Sequence, residues 1–276
     1  MTTQHPSDVA GLEALDGFGF PVLVSPGNLA RGRAVAGRCR RVLDWLAGAF
    51  GERPPFTLFV AGPEDWDQVA LIPLYGMPHA VGERVVTGTA PSGFWNEYAR
   101  VLLRDLAAPN QDRMHAVYGD PPQLGECFAD LVVAHELTHL FHEFDEATGR
   151  TDFPRLWVAE LFANIGFQGY IAEVERDRLP ILETVCQLTW EAPSDRWSVR
   201  PLNRMEEGLA DGPLNYLWFE LRLLVVAKTI WNAGGLIALH CFRDTLRRPN
   251  LSDDQILKAI GAIDPGAERA LKDWPT

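Results

Sequence analysis

Val133-Ala-His135-Glu136-Leu-Thr-His139-Leu-Phe-His142 is the stretch from which the rest of the chain is read. In a helix, residues four apart lie one turn above each other, so His135 and His139 share a face and both imidazoles reach one metal ion. Glu136 sits between them and aims its carboxylate at a water on that ion. Leu131, Val132, Val133 and Leu140 flank the motif with apolar side chains, which makes its helix a buried one. The pattern predicts one helix from Leu124 to Phe144 with a metal site on it.

A catalytic zinc takes three protein ligands and keeps one position open. Two residues compete for the third place. His142 is seven residues after His135, nearly on the same helix face, and three ligands in a row on one helix fit a tetrahedron poorly. Glu160 lies twenty-one residues after His139 on the next predicted helix, Pro154 to Val174, in Leu156-Trp-Val-Ala-Glu160-Leu-Phe-Ala163-Asn164. A loop through Gly149 and Pro154 lets that helix return antiparallel and present its carboxylate from another side. Geometry therefore favours Glu160, with His142 as a residue offsetting the helix dipole.

With these residues the chain resembles the gluzincin zinc metallopeptidases, the group that includes thermolysin and the aminopeptidases of the same fold. The group pairs HExxH with a Glu about twenty residues on, in a tryptophan-then-ExxA context that Trp157, Glu160 and Ala163 match. Leu161 stands where many members have Gly. Asn164 stands where relatives carry an Asp that bonds the first His, and an amide accepts that bond more weakly. The resemblance covers about Leu124 to Gly169, and more loosely extends to Gly235. It implies that Tyr216, in Asn215-Tyr216-Leu-Trp-Phe219, brings a hydroxyl over the zinc to stabilise an oxyanion. It also implies that Val85-Val-Thr-Gly88-Thr-Ala90 is an edge strand pairing with an extended substrate. No segment matches the GxMEN with which the aminopeptidases hold a free N-terminus. The implied activity is hydrolysis of peptide bonds in a peptide or protein substrate. Zinc (Zn2+) activates water there, Glu136 acts as general base and Tyr216 stabilises the oxyanion. The alternative is a catalytically inactive relative that binds metal or peptide, and a third reading is a zinc hydrolase of other carbonyl substrates.

Outward from the motif, a third helix is expected from Leu214 to Trp231, ending at Asn232-Ala-Gly-Gly. His240 beyond it is a core histidine or a second hydrogen-bond donor. Ser252-Asp-Asp-Gln255 has capping-box spacing, and Asp264-Pro265 is a cap followed by proline at the first helical position. Towards the N-terminus, Asn28 to Phe50 has helical periodicity and stops at Gly51. Phe56-Thr-Leu-Phe-Val-Ala and Arg84 to Ala90 read as strands, and Tyr98 to Leu106 as strand or helix. The first dozen residues are polar and loose. The expected fold class is α+β, a small mixed sheet in the N-terminal half packed on a mainly helical half. This divides into an α+β subdomain over 1–121 and a helical subdomain over 122–276 carrying the zinc site, the two forming one compact catalytic unit.

The whole chain has 276 residues, 47% hydrophobic and 22% charged, ordinary values for a folded protein. Its 25 Lys and Arg against 37 Asp and Glu leave a net charge of −12. That balance argues against a nucleic-acid partner and against docking on an anionic membrane. Cys39, Cys127, Cys186 and Cys241 are widely spaced, with no zinc-knuckle or CxxC pattern. The N-terminus shows no basic and apolar leader. Asn215, Glu220, Arg222 and Lys228 interrupt the most apolar stretch, which reads as a buried helix and not a membrane span. The expected location is cytoplasmic, with reduced thiols.

Overall fold

The structure, a computed structural model, describes residues 11–141, 155–248 and 251–276. The N-terminal half is built on a five-stranded mixed sheet in the order β1-β2-β3-β5-β4. β1 (Glu13–Ala14) runs antiparallel to β2 (Val22–Val24). Helix α1 (Leu29–Phe50) then carries the chain back so that β3 (Thr57–Ala61) lies parallel to β2, the crossover that a parallel pair requires. After the short α2 (Trp66–Val69), β4 (His79–Val81) and β5 (Arg84–Gly88) form a hairpin, and β5 pairs parallel with β3. All five residues of β3 are buried, and after Thr57 its sequence is continuously apolar instead of alternating. The apolar stripe of α1, with Val35, Cys39, Val42, Leu43 and Leu46, belongs to the same core cluster as Val22, Leu58, Val60 and Val85 of the sheet.

The edge expected at Val85–Ala90 is corrected. β5 is held on both sides, by β3 and by β4, and β4 is the edge strand on that side of the sheet. A three-residue strand is too short to show alternation, so the Gly/Pro-punctuated sequence before it conceals the hairpin.

Helices α3 (Phe94–Leu103) and α4 (Ala108–Tyr118) complete the N-terminal half, so Tyr98 begins no strand. The rest is helical: α5 (Leu124–Phe128), α6 (Val133–His139), α7 (Leu156–Val174), α8 (Leu179–Glu191), α9 (Met205–Asp211), α10 (Pro213–Leu246), α11 (Asp253–Ile263) and α12 (Pro265–Lys272). The fold class is α+β. One core cluster contains residues from Leu15 to Trp274 and draws on both sides of residue 122. The Ser252 capping box and the Asp264 cap are both formed.

Two helices depart from expectation. The helix read from Leu124 to Phe144 is broken between α5 and α6 by a 3-10 turn at Ala129–Leu131. Arg38 Nη1 donates to the Asp130 carbonyl at 3.4 Å, and Arg31 pairs with the Asp130 carboxylate, so α1 takes over polar groups of this turn. Residues 142–144, His142 among them, and Gly149 and Pro154 lie outside the described residues, as does the segment 1–10. The helix expected to stop at Asn232-Ala-Gly-Gly continues to Leu246 through a kink at Gly235, whose φ of 53° and ψ of −132° suit glycine alone. Beyond the kink, Ala238, Leu239 and Phe242 are buried and continue the core. By length and composition α10 is apolar enough to cross a membrane; in this fold it packs on α7, α8, α9, α11 and α12.

Candidate metal centre

Helix α7 is buried nearly all round, from Trp157 to Ile171, yet Glu160, Asn164 and Gln168 recur on it every four residues. They form a polar stripe on one face. α6 packs on α7 beside that stripe, and the approach is close: a Cβ on Gly166 would fall 2.4 Å from Thr138 Cγ2. Glycine at 166 therefore lets the two helices close enough for His135 to reach Glu160.

Three donor atoms converge there. His135 Nε2 lies 3.0 Å from Glu160 Oε2 and 3.0 Å from His139 Nε2, and His139 Nε2 lies 3.2 Å from Glu160 Oε2. The three residues form a cluster that could hold a metal ion. Ligands about 2.0–2.1 Å from a tetrahedral zinc stand about 3.3 Å apart, close to the sides of this triangle. The donor chemistry fits as well. His135 Nδ1 is 2.8 Å from Asn164 Oδ1, and Asn164 Nδ2 donates to Glu220 Oε2 at 3.1 Å. The amide's direction makes His135 Nδ1 the donor and leaves the Nε2 lone pair of the neutral ring facing a carboxylate oxygen. Two lone pairs at 3.0 Å call for a cation between them, a proton or a metal. Burial disfavours the charged imidazole, but the Glu160 hydrogen bond outweighs it and raises the His135 pKa. Glu160, buried beside two histidines, is held far below the usual carboxylate range.

Glu136 lies beside the triangle, with only 8% of its surface exposed. Burial pushes its carboxyl up to about 7 against the opposing pull of His135 and His139, and the Ala80 backbone on β4 hydrogen-bonds to it. Burial and the carboxylates of Glu160 and Glu220 keep the Tyr216 hydroxyl protonated, with its pKa well above the ordinary value. All these residues line one cavity of about 290 Å³ between β4, α6, α7 and α10, whose other walls include Trp95, Phe128, Phe167 and Leu224.

The structure thus brings together His135, Glu136, His139, Glu160 and Tyr216. Trp157, Leu161 and Ala163 are core residues on α7. His240 packs edge-on against Phe50, 5.1 Å between ring centres, and is not among the cavity's lining residues. His79 lines the cavity, but its Nδ1 bonds the Met77 carbonyl at 2.9 Å and its Nε2 accepts from Leu71 N at 3.1 Å. Sequence reasoning missed Glu220, which it treated only as an interruption of an apolar helix. The signal was its place one turn after Tyr216, on a helix otherwise apolar on that side. Compared with protein-family models, with curated proteins and with solved structures, the chain matches none.

Proposed function

We propose that the protein is a zinc metallopeptidase of the gluzincin type, with His135, His139 and Glu160 as the metal ligands. The observation that carries this reading is the triangle of donor atoms with the buried Glu136 carboxylate beside it, in a cavity bordered by a sheet edge. Zinc held there would supply a Lewis acid that lowers the pKa of water and polarises a carbonyl. The chain's own residues supply the rest. Glu136, with its carboxyl near neutrality, takes a proton from the attacking water and returns it to the leaving amine. Tyr216 keeps its proton and donates it in a hydrogen bond to the oxyanion. β4 offers its open edge to an extended peptide, and the apolar walls of the cavity take a side chain. Glu136, tied to the Ala80 backbone, is held beside the strand that seats the substrate.

The test begins with zinc content by elemental analysis, expected near one ion per chain, and continues with a mixed-sequence peptide library. Chelation should remove cleavage, and re-addition of zinc should restore it. Glu136→Gln should keep its zinc and lose hydrolysis. Cleavage by this variant at the wild-type rate would overturn the general-base role, and a chain that takes up no zinc would overturn the metal centre.

A further inference from the structure

A histidine that ligates a metal through Nε2 is commonly oriented by a carboxylate on its Nδ1–H. At His135 that place is filled by Asn164, an uncharged amide with an acceptor at one end and a donor at the other. Nothing in Asn164 alone says which end faces the imidazole. Glu220 does. Burial and the nearby Glu160 carboxylate push the Glu220 carboxyl up to about 8, against the pull of its hydrogen bond from Asn164. In its carboxylate form Oε2 only accepts, so it holds Nδ2 at 3.1 Å and turns Oδ1 to the histidine at 2.8 Å. The opposite orientation would set Oδ1 against the carboxylate, acceptor to acceptor, and face an NH2 group to the ring nitrogen. Both bonds lie deep in the fold, where an unmatched pair is costly: Asn164 is 1% exposed and His135 8%.

Resting on the metal-centre reading, we propose that Glu220 is a positioning residue for the metal site. It fixes Asn164, which in turn fixes the His135 tautomer with the Nε2 lone pair towards Glu160 and His139. The carboxylate that directly backs such a histidine elsewhere stands here one residue further out, on α10, and acts through an amide. The hydrogen-bond directions are His135 Nδ1–H to Asn164 Oδ1, then Asn164 Nδ2–H to Glu220 Oε2.

This directional chain makes a swap testable. Zinc affinity is measured by competition with a chromophoric chelator on the purified full chain, with thermal unfolding of the metal-free variants as a check on folding. Glu220→Leu removes the acceptor and should weaken zinc binding about tenfold. Glu220→Gln keeps an acceptor oxygen and should bind nearly as wild type. Asn164→Asp alone puts two carboxylates against each other and should weaken binding. In the double variant N164D/E220Q the amide at 220 donates to the carboxylate at 164, which accepts from His135, so affinity should return. Zinc binding by Glu220→Leu as tight as wild type would overturn the proposal, as would a double variant no better than N164D. Absence of zinc binding by the wild type would overturn the metal centre and this role with it, and so separates the two failures.

Discussion

At Tyr216 and Glu136, burial acts on two protonated forms in opposite service. It keeps the tyrosine a hydrogen-bond donor at every physiological pH, and it lifts the glutamate to where accepting and releasing a proton cost about the same. Tyr216→Phe removes the donor with little change in shape. On the peptidase reading, kcat should fall about 10²-fold with KM nearly unchanged, measured on a peptide that the wild type cleaves. An unchanged kcat would return Tyr216 to a packing role. The convergence of His135, His139 and Glu160 was legible because spacing along a helix and a return from the next one are properties of sequence. Glu220 was not, because its meaning depends on Asn164, fifty-six positions away in the chain and 3.1 Å away in space. An isolated charge on an apolar helix is a signal that names no partner.

Between elements, the decisive contact is α6 on α7. Gly166 is packed against Thr138, whose own hydroxyl bonds the Ala134 carbonyl at 2.7 Å. Gly166→Ala should force the helices apart and cost about 1–3 kcal/mol of stability, read from urea unfolding. It should also weaken zinc binding, because the spacing that joins His135 to Glu160 is the one disturbed. Adding Thr138→Ala, which removes the nearest atoms, should recover most of the loss. Long helices with clear punctuation, such as α1 between Asn28 and Gly51, were readable directly. The break before α6 was not, since the polar groups of its turn find their partners, Arg38 and Arg31, on α1, far off in sequence. Nor was the second part of α10. Gly234-Gly235 reads as a stop, and only the burial of Ala238 and Phe242 explains why the helix resumes. β1, β2 and β4 have two or three residues each, too few for a period of two to show.

For the molecule as a whole, the two halves are joined by a charged knot as well as by apolar core. Glu175, at the end of α7, accepts from Arg38 Nη2 at 3.0 Å, Arg41 Nη2 at 3.0 Å and Tyr170 Oη at 2.7 Å. Burial alone would raise its pKa, but the hydrogen bonds and arginine charges outweigh it and hold the carboxyl at about 2. The folded value is below the unfolded one, so the native state binds this proton less readily. The stability it lends is complete above the ordinary carboxylate range and is lost as the pH falls through about 4.5 towards about 2. Glu175→Gln should lower the urea midpoint at pH 7, and the gap from wild type should close over that acid window. A gap independent of pH would remove the knot from the account of stability. The α+β class was legible from the shift in pattern near residue 122. The knot was not, because Arg38 and Glu175 are 137 positions apart in sequence.

On the peptidase reading, the shortness of β4 limits how tightly a peptide is held. In an antiparallel hairpin closed by a two-residue loop, Val81 and Arg84 exchange the hydrogen bonds next to the loop, so Ala80 turns its backbone outward. Its amide is engaged by Glu136, which leaves one carbonyl to pair with an incoming chain. One such bond is worth about 1 kcal/mol net, less than a factor of ten in affinity. On the peptidase reading, selectivity then comes from whichever side chain fills the 290 Å³ chamber. Peptides extended by alanines should show nearly constant KM, whereas enlarging the buried residue from Ala to Leu or Phe should lower it stepwise.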